Sequence, residues 1–267
     1  MIWSDAMIHA NGIDIHYWRS GGDKPAMLLS HGLTDSGRCW ENIVADLAPD
    51  YDMIAPDARG HGRSSAPESG YQSADRVADL LGLLDALGLE RVVALGHSMG
   101  GDATALLAAT APERVRAAIL EDPPFWSDGS VSGPQIAAEW AAGLQADKAL
   151  GKQGLLAKAH AELMRWDPTT FDAWADAKLQ ANERVFSWLI DRPNNWREIL
   201  PTIMVPTLLI TAEPALGAII TPAIAAAFVD ACPGGQVAQI SDAGHCIRYE
   251  QRVAYLAAVR AFLADVR

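Results

Sequence analysis

The order of segments along the chain predicts an α/β fold: a mainly parallel sheet flanked by helices and interrupted once by a helical insertion. Three observations carry the prediction. Short apolar runs of strand length alternate with helical stretches early and late in the chain, as expected of parallel strands buried on both faces. Between them, residues 125–200 show helical periodicity without an alternating strand, and they hold six of the nine tryptophans: Trp126, Trp140, Trp166, Trp174, Trp188 and Trp196. Finally, the chain has 267 residues, half of them hydrophobic, enough for one large core. The expected division is a first core part over 1–124, a cap-like helical insertion over 125–200 and a second core part over 201–267.

Each element has its own reason. Ile13 to Trp18 alternates like a half-buried strand, and Gly21-Gly22 closes it with a turn. Pro25 to Ser30 is a short apolar run suited to a buried parallel strand, and Cys39 to Leu47 reads as a helix stopped by Pro49. Tyr51 to Ala55 is a strand followed by a loop rich in glycine and charge, Pro56 to Ser64. Ser73 to Leu87 is an amphipathic helix ending at Gly88. Arg91 to Leu95 and Val115 to Leu120 are strands, the second halted by Pro123-Pro124. After the insertion come a strand at Thr207 to Ile210, a segment at Thr221 to Asp230, a run at Gln236 to Ile240 and a last helix at Gln251 to Leu263.

Composition narrows the function classes. A net charge of −12 disfavours nucleic acid, whose phosphates require a basic face, and anionic membrane surfaces. The three cysteines, Cys39, Cys232 and Cys246, form no CxxC pair, so neither a disulfide framework nor a zinc site is expected. Residues 1–11 lack a basic region followed by an apolar core, and no apolar run reaches membrane-spanning length, which makes a reducing cytoplasm the expected location.

The most informative motif is Gly96-His97-Ser98-Met99-Gly100, between the strand ending at Leu95 and the helix-forming run Asp102 to Ala109. A serine with glycines two residues away on either side, in a strand-to-helix turn, matches the nucleophile elbow, where a tight turn leaves no room for side chains at the glycines. The pattern alone is weak; its context gives it weight, because His31-Gly32 lies upstream and Gly244-His245 near the C-terminus.

With these features the chain resembles the α/β-hydrolase fold superfamily. The resemblance rests on His31-Gly32 after a strand, on Asp57-x-Arg59-Gly60-His61-Gly62-Arg63-Ser64, on the elbow, and on Gly244-His245 before the last helix. It implies a sheet of the eight-stranded type and covers nearly everything outside the insertion, but it says little about substrate.

A neutral serine needs an adjacent base to become a nucleophile. Of the seven histidines, the resemblance points to His245, in the loop after the last strand; His97 is expected to point away from the site and pack, and Cys246 to fill space. A carboxylate must hold the base's tautomer. At the commonest family position this chain has Ala215, with Glu213 two residues early. The alternative position, seen in haloalkane dehalogenases and zearalenone-opening lactonases, ends the preceding strand, and Asp122 falls there, 24 residues after Ser98. Asp122 is favoured, Glu213 and Glu121 stay open, and Pro123 is expected to hold Asp122 extended. The amides of Leu33 and Met99 are the expected oxyanion donors. Arg59 is expected to brace the structure, and Phe125 and Trp126 to line the substrate pocket.

The resemblance then implies a serine hydrolase acting through an acyl-enzyme on esters of small or medium, mainly uncharged molecules, with no metal or organic cofactor. Lactone, peracid and carbon–carbon bond chemistry use similar parts, and a ligand receptor with an idle site is the alternative from another class. Serine at 98 argues against dehalogenases and epoxide hydrolases, which resemble each other in carrying aspartate there, and the insertion lacks the tyrosines that epoxide hydrolases use. The expected partner is a small ester or lactone; oligomeric state is not readable.

Overall fold

A computed structural model describes residues 3–126, 131–190 and 195–266. The chain opens with a hairpin, β1 (Ser4–Ala10) and β2 (Ile13–Arg19), followed by β3 (Ala26–Ser30), α1 (Glu41–Leu47), β4 (Asp52–Pro56), α2 (Ser73–Ala86), β5 (Val92–His97), α3 (Met99–Thr110) and β6 (Val115–Glu121). The helices α4 (Pro134–Ala149), α5 (Gly151–Glu162), α6 (Phe171–Gln180) and α7 (Trp196–Ile199) come next. The chain closes with β7 (Thr207–Thr211), α8 (Pro222–Ala231), β8 (Gly235–Gln239), α9 (Ile247–Glu250) and α10 (Arg252–Asp265).

Eight strands form one sheet in the order β1-β2-β4-β3-β5-β6-β7-β8. The pairs β1–β2 and β2–β4 are antiparallel, and the pairs from β4 through β3, β5, β6 and β7 to β8 are parallel. The α/β class and the mainly parallel sheet are as the apolar runs required. Strand β1 was not expected. Five of its seven residues are exposed, so it lacks the apolar run of strand length that marks the buried strands. The available signal was Asn11-Gly12, whose φ angles of +48° and +76° suit a two-residue hairpin turn.

Alternation along the strands builds a core on each face of the sheet. Leu28, Ala94, Leu120 and Leu209 face Leu83 of α2, Leu107 of α3 and Phe228 of α8. Met27, Leu29, Leu95, Ile119 and Ile210 face Ile43 and Leu47 of α1 and Tyr255, Val259 and Phe262 of α10. Both sets are almost fully buried. The helices between β6 and β7 add smaller clusters, one joining Met99 to Leu144, Val185, Phe186 and Trp188, the other joining α5 to α6 through Leu155, Ala159 and Trp174. Parts of the expected insertion, 127–130 and 191–194, lie outside the described residues.

Candidate active site

The candidate nucleophile sits where the sequence placed it. Ser98 follows β5 and caps α3 with φ 50° and ψ −119°, a backbone region costing about 1–3 kcal/mol for a non-glycine residue. Two hydrogen bonds hold it there: its N–H donates to Glu121 O at 2.9 Å, and its carbonyl accepts from Asp102 N at 3.0 Å. The flanking glycines are required by close approach. A Cβ on Gly96 would lie 2.1 Å from Gly100 O, and one on Gly100 would lie 2.1 Å from Ser30 O.

Asp122 directly follows β6 and has no exposure to solvent. Its Oδ2 accepts from His245 Nδ1 at 2.6 Å and from Ile219 N at 2.8 Å, while Oδ1 accepts from Ile220 N at 3.0 Å. Its own N–H donates to Ile210 O at 2.9 Å. Asp122 is not extended as Pro123 suggested: its φ is +41°. These four hydrogen bonds, to β7 and to the two loops beyond it, outweigh the local preference before proline.

Glu213 does something else. Its Oε1 accepts from Asp242 N at 2.8 Å and so fixes the turn that leads to His245. Gly244 N–H donates to Glu250 at 3.1 Å, and a Cβ on Gly244 would meet Leu216 O at 2.2 Å. Glu121 is buried against Arg248, accepting from its backbone N at 3.0 Å and from Nη1 at 3.2 Å. The structure therefore brings Asp122, and neither Glu213 nor Glu121, to the His245 ring.

Ser98 and His245 line one cavity of about 580 Å³, within the usual size of small-molecule sites. Among the described residues no hydrogen bond joins Ser98 Oγ to His245; such contacts often tighten only around substrate. Leu33 is on the cavity wall. Met99 is the first residue of α3, so its amide has no intrahelical partner. The loop carrying Leu33 is pinned by two buried histidines. His31 Nδ1–H donates to Gly32 O at 2.8 Å while Nε2 accepts from Ala58 N at 2.9 Å; His61 Nδ1–H donates to Arg59 O at 3.0 Å while Nε2 accepts from Thr34 N at 3.2 Å. Each therefore serves as a neutral ring, and burial lowers the pKa of both. Arg59 braces as expected, its fork donating to both Asp79 oxygens at 2.6 Å.

Five of the six tryptophans in the 125–200 stretch line the cavity: Trp126, Trp140, Trp166, Trp174 and Trp188. The sixth corrects an expectation. Phe125 does not face the cavity; it stacks on Trp196 with ring centroids 5.3 Å apart and belongs to the main core. Trp126 lines the cavity while Phe125 packs into the core, so only the second of the two expected pocket residues serves there.

The sequence model of the alpha/beta hydrolase fold family matches residues 25–251. The chain belongs to the α/β hydrolase fold family. It is 36% identical to the lipase LipV of Mycobacterium tuberculosis over 73% of this chain and 74% of that protein. It is 29% identical to N-formylmaleamate deformylase of Pseudomonas putida over 96% and 95% of the two chains. Other curated relatives match over 30–39% of their own length. Among solved structures, the enol-lactonase of Burkholderia xenovorans superposes with a TM-score of 0.80 at 27% identity, covering 97% of this chain and all of that one.

Three features of this α/β hydrolase escaped the sequence reading. His97 does not point away. Its ring lies 4.6 Å from that of His245, its Nε2–H donates to His245 O at 3.0 Å, and burial, then Arg248 and His245, hold its pKa well below the ordinary histidine value. Arg248 is a fully buried cation between Glu121 and Asp35, with its guanidinium 4.4 Å from the Trp40 ring centroid. Lys178 of α6 lines the cavity, its ammonium 5.5 Å from the Trp174 ring centroid and bonded to Thr34 Oγ1 and, at 3.4 Å, to Thr34 O. Hydrophobic periodicity could have put Lys178 on a helix, but only the surrounding fold turns it toward the cavity. Cys246, expected to fill space, is on the cavity wall, and burial raises its thiol pKa far from the reactive range.

Proposed function

We propose that this chain is a serine hydrolase that cleaves carboxylic esters of small or medium molecules through an acyl-enzyme, with residues 125–200 acting as the cap over the site. The observation that carries this reading is the 2.6 Å contact of a buried Asp122 carboxylate with His245 Nδ1, in a cavity that Ser98 also lines. An aspartate on Nδ1–H leaves Nε2 unprotonated and able to act as a base. His245 Nε2 takes the Ser98 Oγ proton as Oγ bonds to the ester carbonyl carbon. The carbonyl oxygen becomes an oxyanion held by the amides of Leu33 and Met99. Collapse breaks the carbon–oxygen bond to the alcohol, which leaves with the proton from Nε2. Water then repeats the sequence on the acyl-enzyme and frees Ser98. The tryptophan-rich wall suits the apolar body of the substrate.

Lactone opening is the second reading, favoured by the superposition on the enol-lactonase over nearly the whole chain. It uses the same steps, with the leaving alcohol still tethered to the acyl group. The test is a panel of acyl chains and lactones with Ser98→Ala as control. Ser98→Ala is expected to lower kcat by at least about 10⁴, and a fluorophosphonate probe to label Ser98 alone. Unchanged turnover in that variant would overturn the mechanism.

A further inference from the structure

Lys178 is the charge that the proposed chemistry leaves unused. Its ammonium opens onto the same cavity as Ser98, and its hydrogen-bond partners are the neutral oxygens of Thr34. Among the described residues the cavity wall holds two carboxylates, and both are engaged elsewhere. Asp147 pairs with Lys158 at 2.6 Å. Asp35 accepts from Arg248 Nη2 and from Tyr249 OH, each at 3.4 Å. The acids of the same helix are committed too: Asp172 and Asp176 pair with Lys152 at 2.8 and 2.7 Å, and with Arg38 at 3.5 and 3.0 Å. Among the described residues no carboxylate lies within 4.0 Å of Lys178 Nζ. Burial lowers the Lys178 pKa, while Asp35, Cys246 and Asp147 work against that shift.

A partly buried ammonium beside an aromatic ring is costly unless an opposite charge joins it. Among the described residues none supplies that charge to Lys178, so a ligand is the candidate source. We propose that Lys178 anchors a carboxylate of the substrate, so that the chain acts on esters or lactones that carry one free carboxylate. This rests on the ester reading above and gives the apolar body of its substrate one anionic end, where the sequence alone suggested a mainly uncharged molecule. Thr34, which holds the ammonium, follows Leu33 directly. The anchored end is thereby fixed relative to the loop whose amide faces the reacting carbonyl, and binding at a distance becomes orientation of the ester.

The test uses matched substrates. Monomethyl glutarate and monomethyl adipate against methyl pentanoate and methyl hexanoate put the charge on the acyl side; 4-acetoxybutanoate against butyl acetate puts it on the alcohol side. At least one anionic member is expected to exceed its neutral partner about tenfold or more in kcat/KM, mostly through KM. Lys178→Met collapses that ratio to about one, and Lys178→Arg keeps most of it. A neutral preference in every pair, or a ratio unchanged in Lys178→Met, overturns the anchor; the second result means that the lysine only braces Thr34. Binding is measured separately, by titrating glutarate and adipate into Ser98→Ala and into Ser98→Ala/Lys178→Met. Weaker binding by tenfold or more in the double variant is expected, and equal binding overturns the proposal. If no ester is cleaved but dicarboxylate binding depends on Lys178, the ester reading fails and the anchor stands. If Ser98 is labelled and esters are cleaved without regard to charge, the anchor fails and the ester reading stands.

Discussion

Asp122→Asn isolates the least conventional part of the site. The carboxylate accepts hydrogen bonds from three N–H donors and has no access to water. An asparagine of the same size has one acceptor oxygen and one NH₂ group that can only donate. If the oxygen stays on Ile219 and Ile220, the NH₂ faces His245 Nδ1, and the ring must shift its proton to Nε2. That tautomer cannot deprotonate Ser98. The corresponding change in serine proteases costs about 10⁴ in kcat, equal to about 5.5 kcal/mol of transition-state stabilisation. Turning the amide over instead sets NH₂ against two backbone N–H groups, and one unsatisfied buried group costs about 1–3 kcal/mol of stability. Glu213→Gln is the matched control. Its target, Asp242 N, keeps an acceptor because the amide oxygen can replace Oε1, so tenfold or less is expected. Steady-state kinetics on one short ester decide between them, with thermal melts to confirm folding. A crippled Glu213→Gln beside a near-normal Asp122→Asn would refute the reasoning.

Two further outcomes follow from backbone strain and from buried rings. Ser98→Gly relieves the φ 50°, ψ −119° conformation, and after the entropy of an added glycine a net gain of about 1 kcal/mol over Ser98→Ala is expected, or about 2–4 °C in Tm; equal melting of the two variants would show that the turn is unstrained. His31, His61 and His97 have pKa values lowered mainly by burial, so the unfolded chain takes up their protons first as pH falls. Stability is then complete above about pH 6.5 and declines toward the lowered folded values, by up to about 1.4 kcal/mol per pH unit for each ring. Urea midpoints should be level between about pH 8 and 7 and lower at about pH 5.5, with a shallower decline in His61→Gln; a midpoint that rises on acidification contradicts the assignment.

Much of the site could be read from the chain because steric necessity leaves marks in sequence. Gly96 and Gly100 are forced by contacts near 2 Å, and Gly244 by Leu216 O, so the elbow and the His245 loop announce themselves. The central strands are legible because both faces are buried. What was missed has no such mark. Strand β1 is exposed, Arg248 and Lys178 look like ordinary surface cations, and the inward turn of His97 depends on where His245 arrives from 148 residues away. The facing of Phe125 against Trp126 is a matter of one residue's register. Asp122 was found through spacing, yet its positive φ is set by partners on β7 and beyond, which local rules about proline cannot contain.

The Arg248 cluster has a consequence for motion. Glu121 adjoins Asp122, Arg248 lies three residues beyond His245, and Asp35 lies two beyond Leu33, so one buried guanidinium fastens the segments that carry all three. Separating any of them would strip partners from ions held out of water, at several kcal/mol per ion. These segments are therefore tied together as one unit. The other wall of the cavity, where α4 and α6 contribute Trp140, Leu144 and Trp174, has no member in that cluster. A rearrangement that widens the cavity is expected to cost less on that wall than among the segments Arg248 ties together.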